Sequence, residues 1–298
     1  MTNMESSFDH LDVVNSVLSL AYNLKSYPNH LYRAGYRISR IEPRFNVNGT
    51  LNPDILFMSD EMGLFCECKS GEYYTGQNTE LYQRITTRHL VEKGIDIPTE
   101  NLELDVGIFG RGNMDVLKDR LQAEGITYPQ VMMDEFIRKV AGDDFKDPAL
   151  RDLFHEPVRI NGKPLTILKF SEDSSFKKIA PYIFNTLMAR SVSGRIEFTS
   201  RDLAGDSLEG IWNHLDGKSQ KILSGKVKSF LKHCKTCGLG EYLSNREDVW
   251  TIEINDHWKS RKKFSDDCNR LMGNLNQKTL WDFPEFREME DDQVTRGG

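Results

Sequence analysis

The chain has 298 residues, 38% hydrophobic and 28% charged, the composition of an ordinary globular protein with material for one or two cores. No apolar run approaches the ~20 residues a membrane span requires, and the opening MTNMESSFDHLD lacks the basic-then-apolar layout of a secretory signal. A cytoplasmic protein with no membrane partner is therefore expected, and the formal charge of -6 argues against a chain that coats nucleic acid indiscriminately.

That average hides an asymmetry. Lys218 to Lys263 carries 11 basic against 5 acidic side chains, whereas residues 1–150 carry 15 against 23. A basic module is attached to an acidic one. Five cysteines are an odd count, better read in a reducing compartment as small buried hydrophobes or ligands than as a disulfide framework.

In chain order, Ser6 or Ser7 is expected to cap a first helix whose apolar positions Leu11, Val14, Leu18 and Ala21 recur at three- and four-residue spacing. After Pro28, YRISRIEPRFNV alternates as a strand, NGTLNP turns, LNPDILF forms a second strand, and GLFCECKSG returns as a third after the turn MSDEMG. NTELYQRITTRHLVEKG reads as a helix closed by Gly94. It is followed by the strand LELDVGIFG, the helix NMDVLKDRLQAEG and the apolar run of YPQVMMD. VRINGKPLTILKF looks like a hairpin turning at Asn161 and Gly162, and the polar SEDSS after it marks a domain break near residue 173.

Beyond the break come the helix FKKIAPYIFNTLMARS, the strand RIEFTS, the helices RDLAGDSLEGIWNHL and SQKILSGKVKSFLKHCKTCG, and the strands GEYLS and VWTIEI. That is the order of a winged helix-turn-helix domain. The ending EMEDDQVTRGG is polar and is assigned no function.

Chemistry concentrates in the second and third strands. Asp54 precedes Glu67 by a hairpin's length, and strand alternation points Glu67 and Lys69 one way and Cys66 and Cys68 the other. Folding the strands together brings Asp54 beside the Glu67 and Lys69 pair. The carboxylates of Asp54 and Glu67 with the backbone carbonyl of Cys68 make a hard, open oxygen site suited to Mg2+ or Mn2+. Such an ion activates water and neutralises phosphate charge, and Lys69 would orient that water or stabilise the transition state. A Glu-x-Lys triplet alone occurs about once by chance in a chain of this size. The conjunction with Pro53-Asp54, the hairpin spacing and the flanking helices carries the weight.

NPD followed by ECK on adjoining strands resembles the PD-(D/E)XK nuclease superfamily over roughly residues 7–130. The resemblance implies a restriction-endonuclease-like three-layer α/β core in which Asp54, Glu67 and Lys69 are catalytic. It adds Gln83 from the following helix, although Thr87 stands where one subgroup carries tyrosine. Glu80 and His89 in the same helix are weaker candidates for a ligand or base.

In the basic helix, Leu223, Val227, Phe230, Leu231 and Cys234 fall on one side and Lys221, Lys228, Lys232 and Lys235 on another. A winged helix would place this helix in the major groove, with Lys259, Arg261, Lys262 and Lys263 of WKSRKKF clamping the backbone. The alternatives are a solvated face or a protein-docking module. His233, Cys234 and Cys237 hint at zinc, but only His257 and Cys268 follow, without finger spacing.

The expected arrangement is a nuclease-like domain over 1–172, a winged-helix DNA-binding domain over 173–256, and a basic segment with polar tail over 257–298. The expected function is a Mg2+- or Mn2+-dependent DNA endonuclease of restriction or antiviral defence, acting on DNA as a homodimer or within a larger protein complex. The competing readings are a DNA-cleaving subunit of a transposition complex and a non-cleaving DNA-binding scaffold. GIFGRGN lacks the lysine-serine pair of a nucleotide-binding loop, so no nucleotide is expected.

Overall fold

The computed structural model describes residues 9–70, 79–112, 114–254 and 257–275, with backbone alone for 114–117. The chain divides into two compact units, Met1–Leu168 with Gly210–Gln220, and Lys169–Glu209 with Lys221–Gly298.

The first unit is mixed α/β. Helix α1 (His10–Ser19) starts at Asp9, whose carboxylate accepts the Leu11 N–H at 3.1 Å. Asp9 therefore fills the capping role expected of Ser6 or Ser7, which lie outside the described residues. Leu11, Val14, Leu18 and Ala21 are all buried. After the short α2 (His30–Arg33), the expected long strand breaks into β1 (Arg37–Ile41) and β2 (Phe45–Asn46). Glu42 sits between them at φ 51 and Pro43 has no N–H, so the ladder cannot continue. A small hairpin joins β2 to β3 (Thr50–Leu51), and β4 (Ile55–Met58) and β5 (Met62–Ser70) follow.

Thr79–Arg84 is a 3-10 turn, and α3 (Thr87–Glu92) is a separate helix. The single helix expected here splits at Thr86, which exchanges a capping box with His89. Then come β6 (Glu103–Arg111), α4 (Met114–Ala123), β7 (Gln130–Met133), β8 (Phe136–Ala141), α5 (Pro148–His155) and β9 (Val158–Arg159). The seven-stranded sheet runs β1-β4-β5-β6-β7-β8-β9, parallel across β5-β6-β7 and antiparallel elsewhere.

The hairpin expected over residues 158–170 does not form. Only Val158 and Arg159 pair, with β8. The Asn15 amide takes over the backbone beyond them, accepting the Ile167 and Leu168 N–H groups at 3.0 and 2.8 Å and donating to the Leu168 carbonyl at 2.9 Å. Gly162 serves a close approach: a Cβ there would stand 2.3 Å from the Ser26 carbonyl oxygen. Gly210–Gln220 belongs to this unit because Leu215 bridges Ile41 and the Asp216 N–H reaches the Ile41 carbonyl at 3.2 Å.

The second unit holds α6 (Phe176–Val192), β10 (Glu197–Thr199), α7 (Ser200–Ser207), most of α8 (Gly217–Thr236), β11 (Leu243–Arg246), β12 (Val249–Ile252) and α9 (Trp258–Asn274). Its strands form an antiparallel sheet in the order β10-β12-β11. Helix α7 is shorter than its sequence suggests and ends before Gly210 at φ 84. The stretch expected to be a basic segment is the helix α9. Phe264, Cys268 and Leu271 bury at helical spacing beneath a surface dense in charge, and Asp267 accepts the Tyr242 hydroxyl at 2.7 Å. Residues 276–298, including the polar ending, lie outside the described residues.

Among the described residues no helix is long and apolar enough to cross a membrane.

Candidate functional site

The candidate site forms where β4 begins and β5 approaches its end. Ile55 lies opposite Cys66, and the Asp54 N–H donates to the Cys66 carbonyl at 3.1 Å, which brings the Asp54 carboxylate alongside β5. Its Oδ2 accepts the Cys68 N–H at 2.6 Å. A strand residue sends its N–H and C=O toward the same edge, so the Cys68 carbonyl opens on the side where β4 has not yet begun.

Glu67 and Lys69 share a face of β5, as alternation requires, and Lys69 Nζ donates to Glu67 Oε1 at 2.5 Å. Cys66 and Cys68 are fully buried. The face of Glu67 also carries Phe65, packed in a cluster with Phe45, Leu56, Tyr82 and Val106, so the carboxylate sits at the margin of an apolar layer with only 8% exposure. Burial first, and then the charge of Asp54, push the Glu67 carboxyl up to about 7 against the opposing pull of Lys69 and Tyr82.

Two members of the cluster escaped the sequence reading. The Tyr82 hydroxyl donates to Glu67 Oε2 at 2.9 Å. His10, at the start of α1, places Nε2 3.2 Å from Asp54 Oδ1. Burial acts to lower the His10 pKa, but the hydrogen bond and charge of Asp54, with Glu67 behind it, outweigh that and raise it. Nothing local announces either residue, because Asp54 and His10 are far apart in sequence and Tyr82 reads as one more apolar position of a helix.

Gln83, by contrast, is exposed and borders a concavity of about 250 Å³ that also involves Tyr82, Leu104, Asp105 and Lys146. The 3-10 turn directs its neighbour Tyr82 inward instead. Glu80 contributes its backbone carbonyl to the Tyr128 hydroxyl at 2.9 Å, and His89 is occupied in the Thr86 capping box.

Among the described residues no three His, Cys, Asp or Glu side chains converge as a metal-binding group. A cation here would rest on Asp54, Glu67 and the Cys68 carbonyl. The donor set fits a hard divalent ion, since all three donors are oxygens and two of them belong to carboxyl groups.

The family comparison falls on this part of the chain. The model of the MJECL32 domain matches residues 9–171, more than half of the 298. The chain belongs to the MJECL32 domain family. No curated protein and no solved structure matches it. The matched stretch of the MJECL32 domain contains His10, Asp54, Glu67, Lys69 and Tyr82, and stops before α6.

The cationic residues beyond the MJECL32 domain are in part already engaged. On α8 the apolar side Leu223, Val227, Phe230, Leu231 and Cys234 is buried, and Lys221, Lys232 and Lys235 are exposed. Lys228 pairs with Asp248, and Lys235 donates to the Asn245 side chain at 3.0 Å. On α9, Lys259 and Lys262 are exposed, Arg261 is half-buried, and Lys263 pairs with both oxygens of Glu241 at 2.9 Å. His233 Nδ1 lies 3.7 Å from the exposed Cys237 Sγ, while Cys234 and Cys268 are buried thiols whose pKa values burial raises.

Proposed function

We propose that the chain is a Mg2+- or Mn2+-dependent DNA endonuclease whose first unit is a restriction-endonuclease-like catalytic core and whose second unit is a winged-helix DNA-binding domain. The observation that supports this most is the binding of Asp54 Oδ2 to the Cys68 amide, with Glu67 and Lys69 flanking that residue on one face. An acid, an acid and a lysine from two adjoining strands are then focused on one strand end.

In this reading Asp54, Glu67 and the Cys68 carbonyl hold the divalent ion, which when bound supplies an acidified water and charge neutralisation at the phosphate. Lys69 exchanges its hold on Glu67 for the attacked phosphate, where its ammonium offsets the charge developing on the non-bridging oxygens. Tyr82 keeps the Glu67 carboxylate oriented through the apolar layer, and His10 does the same for Asp54 from the solvent side. Phosphodiester hydrolysis needs little more than such positioned charge.

The second unit is read as a winged helix from its order of helix, strand, helix, helix and two-stranded hairpin, and α8 carries the exposed lysines. Lysine outnumbers arginine on that helix, which favours phosphate contacts and salt-dependent affinity over strong base reading. Restriction of foreign DNA is the role that best suits the pairing of a cutting core with a weakly selective DNA-binding module.

The test is conversion of supercoiled and linear DNA by the purified chain in EDTA, Mg2+ and Mn2+. Cutting that appears only with the metal supports the reading. Intact DNA under every condition, with binding retained, would sink it in favour of a non-cleaving DNA-binding protein.

A further inference from the structure

Trp258 opens α9 with 62% of its surface exposed, the largest value among the large apolar side chains of the described residues. An indole left in water forgoes burial that a folded chain normally exploits. Helix α9 does not need it for anchoring, because Phe264, Cys268 and Leu271 form its buried stripe and Trp258 lies off that stripe.

Among the described residues, two lysines share the side of α9 that carries the ring. Lys259 Nζ lies 5.8 Å from the indole centroid, and the exposed Lys262 follows one helical turn on, on the same side of α9. The His257 ring lies 6.0 Å away at 30°, and its Nδ1 accepts the Lys259 N–H at 3.3 Å, which fixes the start of the helix. The nearest acidic side chain further along that side is Asp266, one turn beyond Lys262.

We propose that Trp258 is a stacking platform for an unpaired base, with Lys259 and Lys262 on the adjoining phosphates, so that the chain engages single-stranded or frayed DNA through α9. The inference rests on the reading of the second unit as nucleic-acid-binding and names its substrate class. Paired bases hide their faces inside the duplex, whereas an unstacked base presents one to an exposed aromatic ring, and the neighbouring ammonium groups match the backbone that carries it.

The experiment uses the full chain in EDTA, so that cutting plays no part, and follows labelled oligo(dT) and a closed hairpin duplex by fluorescence anisotropy. Trp258→Ala is expected to weaken oligo(dT) binding by about 10-fold or more, Trp258→Phe to stay within about 3-fold of the parent, and duplex binding to change much less. Unchanged oligo(dT) binding by Trp258→Ala, with duplex binding intact, overturns the platform alone. Failure of the parent chain to bind either DNA overturns the reading of the second unit as well. Concentration-dependent self-association that disappears in Trp258→Ala, with oligo(dT) binding unaffected, would assign the indole to a contact between copies instead.

Discussion

His10 Nε2 stands 3.2 Å from Asp54 Oδ1 while the other oxygen of the same carboxylate takes the Cys68 amide at 2.6 Å, so the first helix and the third long strand hold Asp54 between them. His10 is half-exposed and touches one oxygen only. In the proposed site it orients Asp54, and a hydrogen bond of that kind contributes about 1 kcal/mol. His10→Ala is expected to slow DNA cleavage by about 3- to 10-fold. Parallel rate measurements on Asp54→Ala, with a loss of at least about 100-fold, set the scale.

Tyr82 donates to a carboxylate that is almost fully buried. Removing the hydroxyl leaves Glu67 Oε2 without that donor, which costs about 1–3 kcal/mol. Tyr82→Phe should therefore lower the urea midpoint of unfolding as well as activity, whereas Gln83→Ala, on the exposed side of the same turn, should leave the midpoint unchanged.

His30 predicts an acid limit to stability. It is 2% exposed and stacks on Phe154 with ring centroids 4.8 Å apart. Burial, followed by the charge of Arg33, lowers its pKa from 6.5 to about 4, partly offset by the backbone of Leu153. Below 6.5 the unfolded chain takes up a proton that the folded chain resists until about 4, so stability is full above 6.5 and falls as the pH drops toward 4. The difference amounts to about 3 kcal/mol. Thermal melts across that window should show the loss, and His30→Phe should flatten it.

Asn15 makes three hydrogen bonds with the backbone of Ile167 and Leu168. Asn15→Leu keeps the volume and strands those groups, at a cost of about 3 kcal/mol. A destabilisation below about 0.5 kcal/mol in denaturant titration would show that the segment holds its place by other means.

The same asparagine shows where sequence reading stops. Strands β5 and β6 were legible because their runs are apolar and β-prone, and the parity of Glu67 and Lys69 followed from strand geometry alone. Residues 165–168 were not legible: their partners are the side chains of Ser19 and Asn15, about 150 positions away, and Asn161-Gly162 mimics a hairpin turn. Strand β8 and helix α5 went unread, since the adjacent Arg138 and Lys139 put one charge on each side of FIRKVA and blur its alternation, and PALRDLFH is short. In the candidate site, Asp54, Glu67 and Lys69 announced themselves by spacing. Tyr82 did not, because a 3-10 turn rotates it toward Glu67 where a continuous helix would have favoured Gln83.

In the proposed function Asp54, Glu67 and Lys69 together hydrolyse DNA with a divalent ion. The most direct measurement compares plasmid nicking in Mg2+ or Mn2+ by the parent chain, Asp54→Ala and Lys69→Ala, with duplex binding followed in the same samples. Cutting by the parent alone is expected, with a loss of at least about 100-fold in each variant and undiminished binding in all three. Nicking that continues at the parent rate in Lys69→Ala and Asp54→Ala would contradict it.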